Sequence, residues 1–202
     1  MSFILGKKFK MSQIWNGDKV TPVTLVQAGP VVITQIRNNE KNGYSAVQVG
    51  FDATRKKISK PLAGQLKDLG NFRHIKEFRC SAEDAQNLKI GDKLDVSQFQ
   101  EGDLVKISGK SKGRGFQGVV KRHGFSGGPK THGQKNRYRA PGSIGATAPQ
   151  RVMPGRKMAG RMGQERTTVK NLKVAGIDKE NNILMIKGAL PGAKGALLEI
   201  RK

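Results

Sequence analysis

Between residues 104 and 164 the chain places Lys106, Lys110, Lys112, Arg114, Lys121, Arg122, Lys130, Lys135, Arg137, Arg139, Arg151, Arg156, Lys157 and Arg161, with no Asp or Glu; the next acid is Glu165. Side chains of this kind at this density serve one chemistry well. Guanidinium and ammonium groups neutralise phosphate oxygens and donate charge-assisted hydrogen bonds to them. The same stretch carries 13 of the 26 glycines: Gly109, Gly113, Gly115, Gly118, Gly124, Gly127, Gly128, Gly133, Gly142, Gly145, Gly155, Gly160 and Gly163. Lacking a Cβ, glycine lets a main chain come close to a polyanion, and its density argues against regular helix across most of the segment. The few large apolar groups, such as Phe116, Phe125, Ile144 and Val152, cannot offset the ~60 to 120 kcal/mol of backbone entropy lost on ordering sixty residues. The order is therefore expected to come from outside, from a nucleic-acid backbone.

The residues expected to make those contacts are Lys110, Lys112, Arg114, Lys121, Arg122, His123, Lys130, His132, Lys135, Arg137, Arg139, Arg151, Arg156, Lys157 and Arg161. Among so many cations, the imidazoles of His123 and His132 suit stacking on a base or meeting a phosphate. A merely solvated, flexible segment is the plain alternative. Its internal position weighs against that: both flanks read as folded, and long excursions that leave a domain and return to it are uncommon unless functional.

Other chemistries fit poorly. Gly113, Gly115 and Gly118 in GRGFQG satisfy the spacing of a dinucleotide-binding turn, after the strand-like Leu104–Ser108. That chemistry also needs a following helix aimed at the pyrophosphate and an acid about twenty positions later. Gly124, Gly127, Gly128 and Pro129 stop any helix soon after Val120, and the window near Tyr138 is basic. No nicotinamide cofactor is expected, nor any other, and no small-molecule substrate. No His, Cys or Ser of the segment has a carboxylate beside it, so catalytic residues are not expected. His74, His123, His132 and Cys80 make no zinc-ligand spacing, and no metal is expected.

The totals agree. A formal charge of +23, with 36% hydrophobic and 5% aromatic residues, describes a modest core with a large demand for an anionic partner. Membrane is a poor candidate, because the longest N-terminal apolar run is Phe3, Ile4, Leu5 and neither a span nor a signal peptide is legible. The single cysteine, Cys80, cannot form an internal disulfide. A reducing cytoplasmic setting is expected, with Cys80 as an inert, partly buried strand or turn residue.

The elements that must position this segment are mainly β. Short runs rich in Val, Ile and Thr, at Lys19–Gln27, Val31–Arg37 and Ser45–Phe51 before it and Thr167–Gly176 and Ile183–Lys187 after it, read as antiparallel strands sharing one barrel. Turn signals lie at 28–30, 38–43 and 178–182. Pro61–Leu69 and Ser81–Leu88 read as short helices, the second with Ser81 as N-cap. The expected organisation is one β-barrel domain from 1–104 and 165–202, with a partly helical insertion at 52–100. Residues 105–164 form the RNA-penetrating extension.

The stretch GKSKGRGFQGVVKRHGFSGGPKTHG (109–133), RAPGSIGA (139–146) and RKMAGRMGQERTTVKNLKV (156–174) resembles bacterial large-subunit ribosomal protein three, a universal family. The likeness runs nearly end to end, through LGKKFKMSQIW (5–15), TPVTLVQAGPVVITQI (21–36), YSAVQVGF (44–51), KPLAG (60–64), HIKEFR (74–79), GDKLDVSQFQEGD (91–103) and NNILMIKGALPGAKGALLEI (181–200). The resemblance implies a translation-protein type β-barrel on the subunit exterior, with short helices and a long basic, glycine-rich internal extension directed toward the peptidyl transferase centre. It implies an architectural role: binding large-subunit (23S-type) rRNA, starting subunit assembly, and lying beside other large-subunit proteins, fourteen and nineteen in the family. Carried over by motif, Lys110 to Lys121 line the stem of the extension. Gly142, Ser143, Ile144, Gly145, Gln150, Arg151 and Gly155 lie near its tip, and Arg156, Lys157 and Arg161 line its return. Lys10 stands where the family commonly has glycine and Trp15 where phenylalanine is usual. The glutamine that the family often methylates soon after GSIG is replaced here by the run Ala146, Thr147, Ala148, so no such modification is expected. A free RNA chaperone or architectural nucleic-acid-binding protein is the rival within the same chemistry.

Overall fold

The computed structural model describes residues 2–54, 56, 58–66 and 69–202. In chain order its strands are β1 (Phe3–Asn16), β2 (Lys19–Ala28), β3 (Val31–Arg37), β4 (Ala46–Ala53), β5 (Phe72–Arg79), β6 (Lys93–Leu94) and β7 (Leu104–Lys110). Then come β8 (Gly115–Gln117), β9 (Gly160–Met162), β10 (Arg166–Asp178), β11 (Ile183–Lys187) and β12 (Leu197–Arg201). The helices are short: α1 (Asn39–Asn42), α2 (Lys60–Gln65), α3 (Ala82–Gln86) and α4 (Val119–His123). By contacts the chain divides into two compact units, one of residues up to Lys110 with Arg166–Lys202, the other Ser111–Glu165.

In the first unit six antiparallel strands close a barrel in the order β1-β12-β7-β10-β11-β2. Alternation sets the inward face. Val105 and Ile107 on β7, Leu184 and Ile186 on β11, and Leu198 and Ile200 on β12 are buried at two-residue spacing. Each such side chain contributes roughly 1.5–3 kcal/mol when withdrawn from water. Irregularities in register between Lys8 and Met11 on β1, and at two places on β10, bend the strands as closure requires.

A second antiparallel sheet, ordered β5-β4-β3-β6, lies against the barrel. β3 and β4, expected from sequence to be barrel strands, belong to this sheet instead. On β1 four consecutive residues, Phe3 to Gly6, are buried, because one side of the strand faces the barrel and the other the sheet, where Phe3 stacks on Phe78 with ring centroids 4.7 Å apart. One continuous hydrophobic cluster therefore serves both layers, joining Ile4, Ile107 and Ile200 to Ile33, Val49 and Phe78.

Three elements differ from expectation. Residues 38–43, read as a turn, contain the single turn of α1, closed by Gly43 in the left-handed region. α2 ends at Gln65 with Leu66 as its C-cap, short of the expected Leu69; Lys67 and Asp68 in that span lie outside the described residues. α3 starts as expected, with the Ser81 hydroxyl accepting from the Asp84 amide, but stops at Gln86. The 52–100 stretch supplies strands β5 and β6 as well as α2 and α3.

Candidate nucleic-acid interface

Residues 111–165 begin and end on a narrow neck. Ser111 donates its amide to the Glu165 carbonyl at 2.9 Å, Arg114 donates to Met162 at 2.9 Å, and β8 and β9 pair Gly115 with Met162 and Gln117 with Gly160. Gly163 is required there by its geometry. Its φ is +77°, and a Cβ at that position would stand 2.1 Å from the Lys112 carbonyl oxygen. Beyond the neck, Gly118 leads into α4, which Gly124 ends in the left-handed conformation. A helix ending soon after Val120 is what the sequence predicts, and α4 is a single turn that reaches His123. Arg122 donates from Nη1 to the Met158 carbonyl at 2.7 Å, and the His123 Nε2 lies 3.0 Å from the same oxygen.

The rest, 124–159, is irregular. Gly128 donates its amide to Tyr138 at 2.8 Å, the Arg156 guanidinium donates to the Ser143 carbonyl, and the Ser143 hydroxyl donates to Gly145 at 2.7 Å. Among the described residues Val119 is the one buried large apolar side chain of 111–165, at 3% exposure. Phe116, Tyr138, Ile144, Val152, Met153 and Met158 are all exposed. No apolar core of its own holds this unit together.

The cations are arranged accordingly. Of the residues expected to bind phosphate, Lys110 closes β7 opposite Arg166, and Lys112 and Arg114 lie in the neck. Lys121, Arg122 and His123 sit on α4, and Arg161 on β9. Lys130, His132, Lys135, Arg137, Arg139, Arg151, Arg156 and Lys157 are spread along irregular chain, His132 at φ +60°. All are exposed except Arg122 and His123, which are half-buried against Met158. Gly142, Ser143, Ile144, Gly145, Gln150, Arg151 and Gly155 are exposed as well. The structure thus brings Arg122 and His123 together on one carbonyl and links Arg156 to Ser143, while leaving the remaining cations pointing outward. Neither linkage had a signal in the sequence, since each uses a main-chain oxygen more than ten residues away. The exposed Tyr138, Met153 and Met158 were also missed; their placement between basic residues is the signal that could have found them.

Elsewhere several charged groups are paired. Lys7 lies 2.6 Å from Asp52, holding that carboxyl below its ordinary range against the opposing effect of burial. Burial, with Arg73 nearby, pushes His74 down. Glu77 accepts from Arg37 at 2.8 Å and from the Tyr44 hydroxyl at 3.0 Å, and Glu199 lies between Lys76 and Arg166. Cys80 follows β5, half-buried against the core, and burial pushes its thiol up, away from reactivity. Among the described residues no three or more His, Cys, Asp or Glu gather as metal ligands, and no helix is long and apolar enough to cross a membrane.

The family model described as ribosomal protein L3 matches residues 69–202. The large ribosomal subunit protein uL3 of Salinispora arenicola (strain CNS-205) is 47% identical over 202 residues, covering 98% of this chain and 91% of that protein. The protein of the same name from Roseiflexus sp. (strain RS-1) is 49% identical over 203 residues, covering 98% and 96%. That of Dehalococcoides mccartyi (strain CBDB1) is 47% identical over 201 residues, covering 98% and 97%.

Proposed function

We propose, from the premise that this chain belongs to the ribosomal protein L3 family, that it is a structural, non-enzymatic constituent of the large ribosomal subunit in the cytoplasm. Its partners are rRNA and other ribosomal proteins. In this reading the extension, 105–164, enters large-subunit rRNA, supports early assembly of the subunit and helps shape the surroundings of the peptidyl transferase centre. Lys110, Lys112, Arg114, Lys121, Arg122, His123, Lys130, His132, Lys135, Arg137, Arg139, Arg151, Arg156, Lys157 and Arg161 contact the RNA. Residues 142–155 form the tip, and large-subunit proteins fourteen and nineteen are the neighbours.

One observation carries the reading. Residues 111–165 hold twelve Lys and Arg against one acid, bury one large apolar side chain, and turn nearly all their cations outward. Such a unit gains little from its own packing and much from phosphate. Phosphate contacts position the chain in folded RNA, and base readout is secondary.

The test is co-sedimentation. The tagged full chain should travel with large subunits through a high-salt gradient, at one copy per subunit. A chain that leaves the subunit at salt concentrations at which other core proteins stay, yet still binds RNA promiscuously, is instead a free chaperone.

A further inference from the structure

Of the large apolar side chains left exposed on the barrel unit, Phe9, Met11, Trp15 and Val20 all lie on the hairpin of β1 and β2. Pairing explains why they are uncovered. β12 meets β1 only over Phe3–Lys7, and β11 meets β2 only over Val23–Gln27. The Pro22 carbonyl accepts from the Gly188 amide at 2.9 Å; beyond it, among the described strands, residues 14–16 and 19–21 pair only with each other, as a two-stranded ribbon running past the barrel.

The two faces of the ribbon differ. Ile14 and Asn16 share one face with Thr21 and Lys19 opposite, and on it Asn16 and Thr21 line a cavity with Glu101, Lys173 and Lys187. Trp15 opposes Val20, and Gln13 opposes Pro22, on the other face. That face is open, with Trp15 64% exposed. Its surroundings are cationic: from Lys7 to Thr24 the one acid is Asp18, at the turn, against Lys7, Lys8, Lys10 and Lys19. At the base of the ribbon the ammonium groups of Lys10 and Lys194 lie 5.6 Å and 5.5 Å from the Phe9 ring centroid.

We propose that this hairpin is a second RNA-contacting surface, in which Trp15, with Met11 and Val20 beside it, stacks on an unpaired base while Lys10 and Lys194 meet the adjoining phosphates. The proposal rests on the reading above that the partner is large-subunit rRNA, and adds a site on the barrel unit. An aromatic face among cations is the pattern of sequence-tolerant single-strand binding, where stacking and phosphate neutralisation act together. A protein partner fits less well, because lysine is depleted from the centres of protein interfaces. The run from Phe9 to Trp15 spans about 20 Å of strand, long enough for more than one nucleotide.

Trp15 is the sole tryptophan, so its emission reports on this hairpin and nothing else. Purified large-subunit rRNA, titrated into the full chain, should quench that emission and shield it from acrylamide in step with binding measured by filter retention. Trp15→Ala should weaken binding roughly 5- to 150-fold with an unchanged salt slope, and Trp15→Phe should restore most of the loss. Binding with unaltered Trp15 emission and full acrylamide access overturns the hairpin site and leaves the extension's role intact. A response given only by the RNA-free mixture of large-subunit proteins also overturns it, in favour of a protein contact. Absence of any rRNA binding overturns both readings.

Discussion

The Arg122 guanidinium occupies the space a side chain at Gly160 would need: a Cβ on Gly160 would come 2.7 Å from Nη1, the atom that donates to the Met158 carbonyl. The outgoing helix α4 is fastened to the returning chain by this hydrogen bond, for which Gly160 leaves room, and by the His123 imidazole at the same carbonyl.

Gly160→Ala should push the guanidinium aside, and Arg122→Ala removes the donor outright. Both should speed limited proteolysis within 111–165 while changing global stability, measured by denaturant melts, by less than about 0.5 kcal/mol. Unchanged cleavage rates in both variants would show that this contact does not hold the extension. Gly163→Ala should act more severely on the same assay, because the clash at 2.1 Å is with the Lys112 main chain rather than a yielding side chain.

In the sheet layer, Gly50 leaves room for a ring. A Cβ there would stand 2.4 Å from the Phe72 ring, so Gly50→Ala should cost about 1–3 kcal/mol through overpacking. Phe78→Ala, which empties the stack with Phe3, should cost about 3–5 kcal/mol. Urea melts with an unchanged slope check both values. A Gly50→Ala chain as stable as the wild type contradicts the packing described.

Acid should destabilise the barrel unit in two steps. Folding lowers the pKa of His74 from its ordinary 6.5, through burial above all, and that of Asp52 from 3.8, through the hydrogen bond from Lys7 above all. The unfolded chain therefore binds more protons at both sites. Each contribution is complete above the unfolded value and vanishes as pH falls through the lower, folded one. Stability measured by denaturant should begin to fall below about pH 6.5 and again below about 3.8. His74→Gln should remove the first step, and Lys7→Met should shrink the second; a His74→Gln profile that overlays the wild type between about pH 7 and 5 rejects the first assignment.

For the extension, affinity for large-subunit rRNA should drop roughly 10³- to 10⁵-fold between about 50 and 200 mM salt if six to ten phosphates are contacted. Free of RNA, residues 110–163 should be cut by protease far faster than the flanking strands, and rRNA should protect them. A salt-insensitive complex, or equal protection with and without RNA, argues against phosphate-driven ordering.

The run from 104 to 164 stands out most in the sequence, because an acid-free run of cations and glycines needs no three-dimensional information to be noticed. Strands with clear alternation, such as Ile183–Lys187, were legible too. β1 was not read as a strand: Lys7, Lys8 and Lys10 interrupt any period of two, and its first residues are buried on both faces, which only the packed second sheet explains. β5, FRHIKEFR, hides behind its charges, since Arg37 neutralises Glu77 and the Tyr44 hydroxyl donates to it, both from elsewhere in the chain. The division of the early strands between barrel and sheet had no local signal, because Val-rich runs look alike in either layer. Composition picks out the cations expected to meet RNA, but which of them are tied back to main-chain oxygens depends on contacts between segments far apart in sequence.

The place of β12 has a consequence for synthesis. Leu197–Arg201 is inserted between β1, made first, and β7, made in mid-chain. Until those five residues have left the exit tunnel of the translating ribosome, β1 and β7 each present a bare hydrogen-bonding edge, and the extension has already emerged. Ring closure thus waits for β12, and the nascent chain must bridge that interval with its sticky edges open.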